Sequence, residues 1–391
     1  PDYSILEQIE YEYPVRDAYF VYASRGCIRK CSFCGVPKLE GDFWDTDSIT
    51  NIVKGIEKKY GAKKDLIFMD NNVVASPRFK GIIAEIRDLG FGKNAKLTRK
   101  NRSLIRRVDF NQGVDARILC KSKMYLKELS TICIKPLRIA FDHLGLKKPY
   151  ETSIRYSHEF GLDELSNYML YNFHDSPSDL YERMLLNVKL NEELGIRIYS
   201  FPMRYQPTDR PDRGFVGEKW SKYSLRSMQV ILQATHGIVS GNPEFFYRAF
   251  GESSEDFKEL LTRPQHFIFN REYYENCEGK PEFDDYTIQM KSLSNSEKEE
   301  LNVELSKTTP GNFHEIKFSN HKLQRILSFY LPLTSEEAEE IWSQKQKFNK
   351  NKAEEIIYIP EDEKVEDAGY NDMAFKLVQD TGKKIQPNAA V

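Results

Sequence analysis

Short apolar runs alternate with longer amphipathic stretches between residues 18 and 207. Runs of about four to eight apolar residues bounded by turn residues predict strands, whereas apolar residues at every third or fourth position predict helices. The predicted strands cover residues 18–23, 65–70, 108–116, 137–142, 166–173 and 196–203. Several intervening stretches begin at Ser, Thr or Asp and end at Gly, as helices do. The alternation indicates an α/β fold with crossover helices, either a partial barrel or a doubly wound sheet.

The alternation ends after residue 207, within a proline-containing loop, and apolar and aromatic helical patterns follow. From about residue 276 the composition becomes polar and charged. We predict four parts, which are a lead-in (1–17), an α/β core (18–207), a helical extension covering the core (208–275) and a polar helical appendage with a loose tail (276–391).

Polar residues follow almost every predicted strand. In a parallel barrel the active site is built at the carboxyl ends of the strands, so we expect these side chains to lie on one face. The same residue types also form turns and helix caps. A functional site is favoured here because polar residues follow so many of the predicted strands. They include Asp70, Asn71, Asn72, Gln112, Asp115, Arg117, Asp142, His143, Asn172, His174 and Asp175. Of these, His143 and His174 are candidate acids or bases near neutral pH, although structural histidines are equally common.

Composition narrows the class of protein. Hydrophobic residues make up 40% of the chain, enough for a substantial core, but no run of about 18 apolar residues predicts a membrane span. The first residues lack the basic and apolar regions of a secretory signal, so we expect a cytoplasmic protein without a membrane partner. Because the chain begins at Pro1, we also expect that a segment precedes it.

Charge gives only a local indication of a partner. The formal net charge is −2, from 57 Lys and Arg against 59 Asp and Glu, so nothing global favours nucleic acid. Residues 92–109 carry seven Lys or Arg and one acid. RNA is therefore an alternative partner, but a solvated loop is favoured because no aromatic residues are interleaved for base stacking.

Three of the six cysteines lie within eight residues, as Cys27, Cys31 and Cys34 in "CIRKCSFC". The other three, Cys120, Cys133 and Cys277, stand alone, and lone cysteines are usually small buried hydrophobes. Structural zinc sites have four ligands, and a disulfide within the trio would leave one thiol unpaired. A catalytic zinc site completed by His143 or His174 is a further alternative. A loop of three thiolates suits an iron–sulfur cluster with one iron free of protein ligands.

The spacing C-x3-C-x2-C directly after the first predicted strand, with the aromatic Phe33 before the last cysteine, resembles the cluster loop of radical S-adenosylmethionine (SAM) enzymes. The stretches "YASRGCIRKCSFCGVPKLEG", "FMDNNVVASP" and "RVDFNQGVDARIL" resemble the subgroup annotated with a cobalamin-binding domain. This resemblance covers about residues 1–275. The cobalamin domain of such proteins lies upstream, so any use of cobalamin would depend on a segment that this chain does not include.

The resemblance implies a fold and a set of cofactors. It implies a partial (β/α)6 TIM-like barrel with a helical C-terminal extension. It also implies a [4Fe-4S] cluster held by Cys27, Cys31 and Cys34, with SAM on the remaining iron. Reductive cleavage of SAM would yield a 5′-deoxyadenosyl radical that acts on an unknown substrate, with cobalamin-linked methyl transfer as one outcome. An electron donor of the flavodoxin or ferredoxin type would be the partner.

The resemblance also implies roles for the polar strand ends. Phe33 would lie near the adenine of SAM. Asp70, Asn71 and Asn72 stand where the superfamily often has Gly-Gly-Glu, and their oxygens can accept from the SAM ammonium group. The remaining candidates for contacts with SAM are Gln112, Asp115, Arg117 and Asn172. Arg117 would pair with the SAM carboxylate, a carboxylate would bind ribose, and Asn172 is a candidate for ribose or adenine contact. No catalytic side chain is assigned.

Two other functions stay open. A tRNA methylthiotransferase-like enzyme usually has extra clustered cysteines and a basic C-terminal domain, whereas this chain has scattered cysteines and an acidic tail. A non-catalytic iron–sulfur or zinc protein would use the trio structurally and would have no affinity for SAM.

Overall fold

The computed structural model describes residues 3, 15, 17–210, 212–307 and 313–355. Within these ranges the protein has a mixed α/β fold, which confirms the predicted class. The strands are β1 (Ala18–Val21), β2 (Ser24–Arg25), β3 (Trp44–Asp45), β4 (Asp65–Phe68), β5 (Lys96–Arg99), β6 (Arg102–Ile105), β7 (Val108–Phe110), β8 (Leu137–Arg138), β9 (Glu164–Tyr171) and β10 (Arg197–Arg204).

Helices connect the strands and make up the rest of the described chain. The first seven are α1 (Val36–Leu39), α2 (Ile49–Tyr60), α3 (Phe79–Ile86), α4 (Ala116–Leu119), α5 (Met124–Leu129), α6 (Lys147–Glu159) and α7 (Pro177–Leu194). The others are α8 (Lys222–Ala234), α9 (Pro243–Phe250), α10 (Ser254–Thr262), α11 (Gln265–Phe269), α12 (Arg271–Asn276), α13 (Lys280–Lys291), α14 (Asn295–Lys307), α15 (His321–Leu327) and α16 (Ser335–Glu355). None of the described helices is long and apolar enough to cross a membrane.

Six strands form the central parallel sheet in the order of the chain. β1, β4 and β7 pair in parallel, and β8, β9 and β10 do the same. Two isolated parallel bridges, Val108 to Ile134 and Val114 to Ile139, join the two halves. All parallel strands end at the same edge, so the residues that follow them are brought together. Curvature of this sheet into a partial barrel stays a prediction.

Apolar burial accounts for these strands and for the helices packed on them. Leu66, Phe68, Val108 and Phe110 are at most 1% exposed, and each such side chain contributes about 1.5–3 kcal/mol on burial. Helix α7 is bounded as its sequence predicts. Ser176 and Asp179 form a reciprocal capping box at its start, and Gly195 ends it in the left-handed conformation with a φ of 65°.

Four predicted strands are shorter in the structure than in the sequence analysis: β1 and β4 each end two residues earlier, and β7 and β8 are shortened more. The strand predicted over 108–116 ends at Phe110, because Gly113 turns the backbone with a φ of 83° and Asp115 caps α4. The strand predicted over 137–142 is regular only at Leu137–Arg138. The residues released from these strands belong to the loops at the carboxyl edge.

The chain divides into two compact units, residues 1–263 and 264–391. The first contains the sheet and helices α1–α10. The second contains α11–α16 around an aromatic core, in which Phe267 contacts Tyr274, Phe283, Tyr286 and Phe329. The predicted boundary at residue 275 falls inside the second unit, and the four-part division stays a prediction. The predicted lead-in and tail lie largely outside the described residues.

Candidate functional site

The cysteine loop follows β1 and is closed by a two-stranded ribbon. Ser24 and Arg25 of β2 pair with Asp45 and Trp44 of β3, so residues 24–45 form one closed loop. Gly26 begins it with a φ of +69°, and a Cβ at this position would lie 2.4 Å from the carbonyl oxygen of Asp42. Only glycine fits this conformation and this close approach.

Asp70, at the end of β4, anchors the start of the cysteine loop. Its side chain is 1% exposed, and its carboxylate accepts from the N–H groups of Ala23 and Ser24 and from the Ser24 hydroxyl. Burial raises the pKa of Asp70 to about 6, although these hydrogen bonds act in the opposite direction. In this structure the carboxylate supports the start of the loop, and a contact between Asp70 and SAM stays a prediction.

The three thiols of the loop are half-buried and unbridged. Backbone N–H groups donate to two of them, from Arg29 to Cys27 Sγ at 3.4 Å and from Val36 to Cys34 Sγ at 3.4 Å. Hydrogen bonds to cysteine sulfur are one way in which proteins tune an iron–sulfur cluster. The loop backbone is therefore already arranged around the sulfur atoms.

Asn72 places a free acceptor beside the loop. The side chain is 2% exposed, and its Nδ2 lies 3.9 Å from Cys27 Sγ. Its Oδ1 is buried and has no hydrogen-bond partner. A buried acceptor without a donor is costly, so this oxygen is suited to a ligand that donates. Asn71 is engaged otherwise, because its Nδ2 donates to Glu40 at 2.8 Å.

Asp115 links the cysteine loop to the end of β7. Its carboxylate accepts from Arg29 Nε and Arg117 Nε, both at 2.7 Å. Burial opposes ionisation, but hydrogen bonds from Arg117 and Arg29 outweigh it and lower the pKa of Asp115. Arg29 is thus not a merely solvated loop cation, and Asp115 orients both guanidinium groups.

Arg117 also lies beside the Cys31 thiol. Burial raises the pKa of Cys31, and the nearby Arg117 charge partly offsets this rise. A cation next to a thiolate favours the ionised form that binds metals. Of the three cysteines, Cys31 is the one that lines the cavity described next.

A cavity of about 680 Å³ opens at the carboxyl edge of the sheet. The predicted site residues among those lining it are Cys31, Phe33 and Arg117. Its volume lies within the range of small-molecule sites, about 300–1,000 Å³. The other predicted residues are not among those that line the cavity: Cys27, Cys34, Asp70, Asn71, Asn72, Gln112, Asp115 and Asn172.

The cavity is also lined by ionisable residues that the sequence analysis did not assign to contacts with SAM. They include Asp142, His143, His174, Asp175 and Asp179. Burial raises the pKa of Asp142 to about 6, with Arg183 and Arg117 opposing the rise. Burial, with the charges of Arg117 and Arg183, lowers the pKa of His143. Most of these positions were recognisable as polar strand ends, whereas Asp179 had only the signature of a helix cap.

Arg183 holds the segments that carry Asp142 and Asp175 in place. It is fully buried in α7 and donates to the carbonyl oxygens of Phe141, Asp142 and Leu170 and to the Asp175 carboxylate. No local signal in the sequence distinguishes Arg183 from an exposed helical arginine.

Asn172 and Gln112 have different surroundings from those predicted. Asn172 is fully buried with a φ of 68°, and its Nδ2 donates to the carbonyl oxygens of Tyr205 and Phe215. Its Oδ1 accepts from the N–H of Gly217 at 2.7 Å. Because both polar atoms are used within the chain, Asn172 supports the loop after β10. Gln112 is exposed.

Neither a family model nor a curated protein sequence matches the chain. Among solved structures, TsrM from Kitasatospora setae, a radical SAM methyltransferase with cobalamin and a [4Fe-4S] cluster bound, has a TM-score of 0.35 and 12% identity over 47% of this chain and 36% of TsrM. SuiB from Streptococcus suis, bound to the precursor peptide SuiA, has a TM-score of 0.37 and 13% identity over 56% of this chain and 46% of SuiB.

HydG, a maturase of the [FeFe]-hydrogenase, has a TM-score of 0.40 and 14% identity over 96% of this chain and 84% of its own. The chain thus matches less than half the length of TsrM and SuiB. Likenesses at these scores do not establish a shared activity, so the function has to be argued from the residues of this chain.

Proposed function

We propose that this protein is a radical SAM enzyme that cleaves SAM reductively at a [4Fe-4S] cluster and directs the resulting 5′-deoxyadenosyl radical to a substrate. The observation that carries the proposal is that Cys31, Phe33 and Arg117 line one cavity at the carboxyl edge of a parallel sheet. The cavity thereby offers one small molecule a ligand for iron, an aromatic surface for adenine and a cation for a carboxylate.

The donor set fits the proposed cluster. Cys27, Cys31 and Cys34 are three free thiols on one closed loop, and two of them already accept backbone N–H groups. Within the described ranges, no three His, Cys, Asp or Glu side chains lie close enough to hold a single metal ion. This does not conflict with a cubane cluster, in which each cysteine binds a different iron.

The residues around the trio would hold SAM and keep water away from it. Arg117, which lines the cavity, would donate to the SAM carboxylate. Asn72 does not line the cavity but lies beside Cys27, and its unpartnered Oδ1 would accept from the ammonium group of SAM bound next to that cysteine. Phe33, which makes an edge contact with Phe173 at a centroid distance of 5.8 Å, would cover the adenine. When bound, the cluster supplies the electron for cleavage of the S–C5′ bond. The protein contributes binding, orientation and exclusion of solvent.

The test of the cluster is anaerobic purification followed by iron, sulfide and zinc analysis. We expect one oxygen-sensitive [4Fe-4S] cluster, lost in Cys27→Ala, Cys31→Ala and Cys34→Ala and retained in the matched control Cys277→Ala. Stoichiometric zinc without iron under strictly anoxic conditions would instead support the structural-zinc alternative.

The test of the reaction is product analysis with SAM and dithionite. Reduced protein should release 5′-deoxyadenosine slowly even without its substrate, and Cys31→Ala should not. Binding of SAM by fully reconstituted protein without deoxyadenosine above the Cys31→Ala background would contradict the radical mechanism. The substrate, methyl transfer with cobalamin and a flavodoxin- or ferredoxin-type donor stay predictions.

A further inference from the structure

The basic segment of residues 92–109 contains an ordered antiparallel ribbon. Strands β5 and β6 pair with Lys96 opposite Ile105 and Arg99 opposite Arg102. Lys100 and Asn101 form the turn between them, with φ values of 48° and 62°. We call residues 93–107 the basic ribbon. The sequence analysis favoured a solvated loop here, and the structure corrects that expectation.

Two arginines attach the basic ribbon to the body of the first unit. Arg99 forms a bidentate ion pair with Asp17 at 2.8 and 3.1 Å and donates to the Ala62 carbonyl. Arg106 donates to the carbonyl oxygens of Lys63, Lys64 and Gly90, and its guanidinium lies 3.6 Å from the centre of the Phe91 ring. The basic ribbon is therefore preorganised.

Four other cations of the basic ribbon point to solvent. Lys93, Lys96, Lys100 and Arg102 are exposed, and within the described part of the chain none of them makes an ion pair. No Asp or Glu occurs between residues 92 and 108. In a protein with a net charge of −2, this is a local concentration of free positive charge.

The basic ribbon lies at the edge of the sheet opposite the cysteine loop. Its attachment points, Asp17 and Lys64, directly precede β1 and β4, whereas the cysteines follow β1. A partner on the basic ribbon therefore does not compete with ligands of the cavity, and the inference does not rest on the proposed radical chemistry.

We propose that the basic ribbon binds the phosphate backbone of duplex DNA. The exposed hydroxyl and amide groups of Thr98, Ser103 and Asn101 accompany the cations, and such groups commonly bind phosphates. A membrane or a protein interface would need apolar anchors, and the only large exposed one here is Ile105, 39% exposed.

The shape of the element decides between the two nucleic acids. The major groove of B-DNA, about 12 Å wide, admits a two-stranded ribbon. The major groove of A-form RNA is deep and too narrow for side chains to read. We expect contacts to phosphates of the duplex, and the absence of aromatic residues from the basic ribbon disfavours single strands, whose bases stack on aromatic side chains.

The experiment measures binding of the full chain to labelled duplex DNA of mixed sequence at several salt concentrations. Four phosphate contacts predict roughly a hundredfold loss of affinity between about 50 and 200 mM salt. The variant Lys93→Gln, Lys96→Gln, Lys100→Gln, Arg102→Gln should lose most of this salt dependence and bind at least about tenfold more weakly at low salt.

A matched control changes four exposed lysines elsewhere in the same unit, as Lys121→Gln, Lys127→Gln, Lys147→Gln, Lys148→Gln. It removes the same net charge and should bind DNA as wild type does. The single variant Lys100→Glu gives a second test with minimal effect on folding. Equal losses in the ribbon and control variants would overturn the proposal. So would ribbon-dependent binding that is tighter to duplex RNA, polyglutamate or phosphatidylserine vesicles than to duplex DNA.

Discussion

The carboxylate of Glu40 joins three parts of the candidate site. It accepts from the Gly26 N–H at 2.7 Å and from Asn71 Nδ2 at 2.8 Å, and it pairs with Arg25 at 3.1 Å. It thereby holds the beginning of the cysteine loop, its end and the segment after β4 in one arrangement. The sequence analysis passed over Glu40, because nothing local separates it from an exposed glutamate.

We predict that Glu40→Ala lowers the iron bound per chain after anaerobic reconstitution, since two donors and a cation lose their shared acceptor. A loss of roughly 1–3 kcal/mol in stability should accompany it. The control is Asp42→Ala, which removes a 92% exposed side chain of the same loop. Electron paramagnetic resonance of the reduced cluster reports its surroundings directly. Unchanged iron content and spectrum in Glu40→Ala would show that the loop holds its shape without this contact.

Arg117 is the residue on which the proposed SAM site depends most. Arg117→Ala should raise the dissociation constant of SAM by roughly ten- to a hundredfold, because a charged hydrogen-bonded pair is lost. Arg117→Lys should recover part of the affinity. Titration calorimetry with reconstituted protein measures both. Wild-type affinity in Arg117→Ala would assign Arg117 to its structural contacts with Asp115.

Asp70 gives a pH dependence whose sign follows from its raised pKa. The pKa of Asp70 in the folded state is about 6, against 3.8 for an ordinary solvent-exposed Asp, so the folded state holds the proton more tightly. Stability contributed in this way is present below about pH 4 and is lost as the pH rises through about 6. The unfolding free energy of wild type relative to Asp70→Asn should therefore fall by roughly 3 kcal/mol over that interval. Denaturant titrations of both proteins check this, and a pH-independent difference would contradict it.

At the scale of elements, α7 organises the cavity wall that lies across from the cysteine loop. Its capping box fixes where the helix starts, and that start places Arg183 behind the ends of β8 and β9. Arg183 donates to three backbone carbonyl oxygens and to the Asp175 carboxylate. One buried side chain thus connects a helix with two loops of the site.

We predict that Arg183→Met destabilises the first unit by about 3–5 kcal/mol, because Asp175 is left as an unpaired buried charge. Adding Asp175→Asn should recover part of this loss. The control is Arg155→Met in α6, whose partners Glu151 and Glu193 are 33% and 54% exposed, with an expected cost of at most about 1 kcal/mol. Urea unfolding followed by circular dichroism measures all three. Similar costs for the two arginines would show that the Arg183 network contributes little.

At the scale of the whole molecule, the two compact units have separate hydrophobic cores. Phe267 and Tyr274 belong to the core of the second unit, together with Tyr286 and Phe329. A chain ended near residue 276, at the predicted domain boundary, would keep α11 and α12 without the helices that cover them.

We therefore predict that a chain ended after Arg263 folds cooperatively, retains the cluster and cleaves SAM. A chain ended after Asn276 should expose Phe267, Ile268 and Tyr274 and aggregate more readily. Light scattering, thermal unfolding and iron content compare the two shortened chains. Less light scattering and a higher melting temperature for the chain ended after Asn276 would mean that α11 and α12 stabilise the first unit.

The sequence by itself determined the features that depend on local order. Alternating apolar runs predicted the parallel strands, cap residues predicted α7, and the spacing of Cys27, Cys31 and Cys34 indicated a cluster loop, because spacing in the chain sets which thiols share a loop. The ends of the predicted strands also located the polar edge of the sheet.

What only the tertiary structure decided is which polar atoms already have hydrogen-bond partners within the chain. Asp70 and Asn172 have the same sequence signature as the Asn72 side chain, yet their acceptors are taken by backbone N–H groups and the Oδ1 of Asn72 is not. Six of the cations of residues 92–109 are likewise equivalent in sequence, and only folding makes Arg99 and Arg106 attach the basic ribbon while Lys93, Lys96, Lys100 and Arg102 face solvent. The physical reason is that hydrogen-bond and ion-pair partners come from distant parts of the chain, which no local pattern specifies.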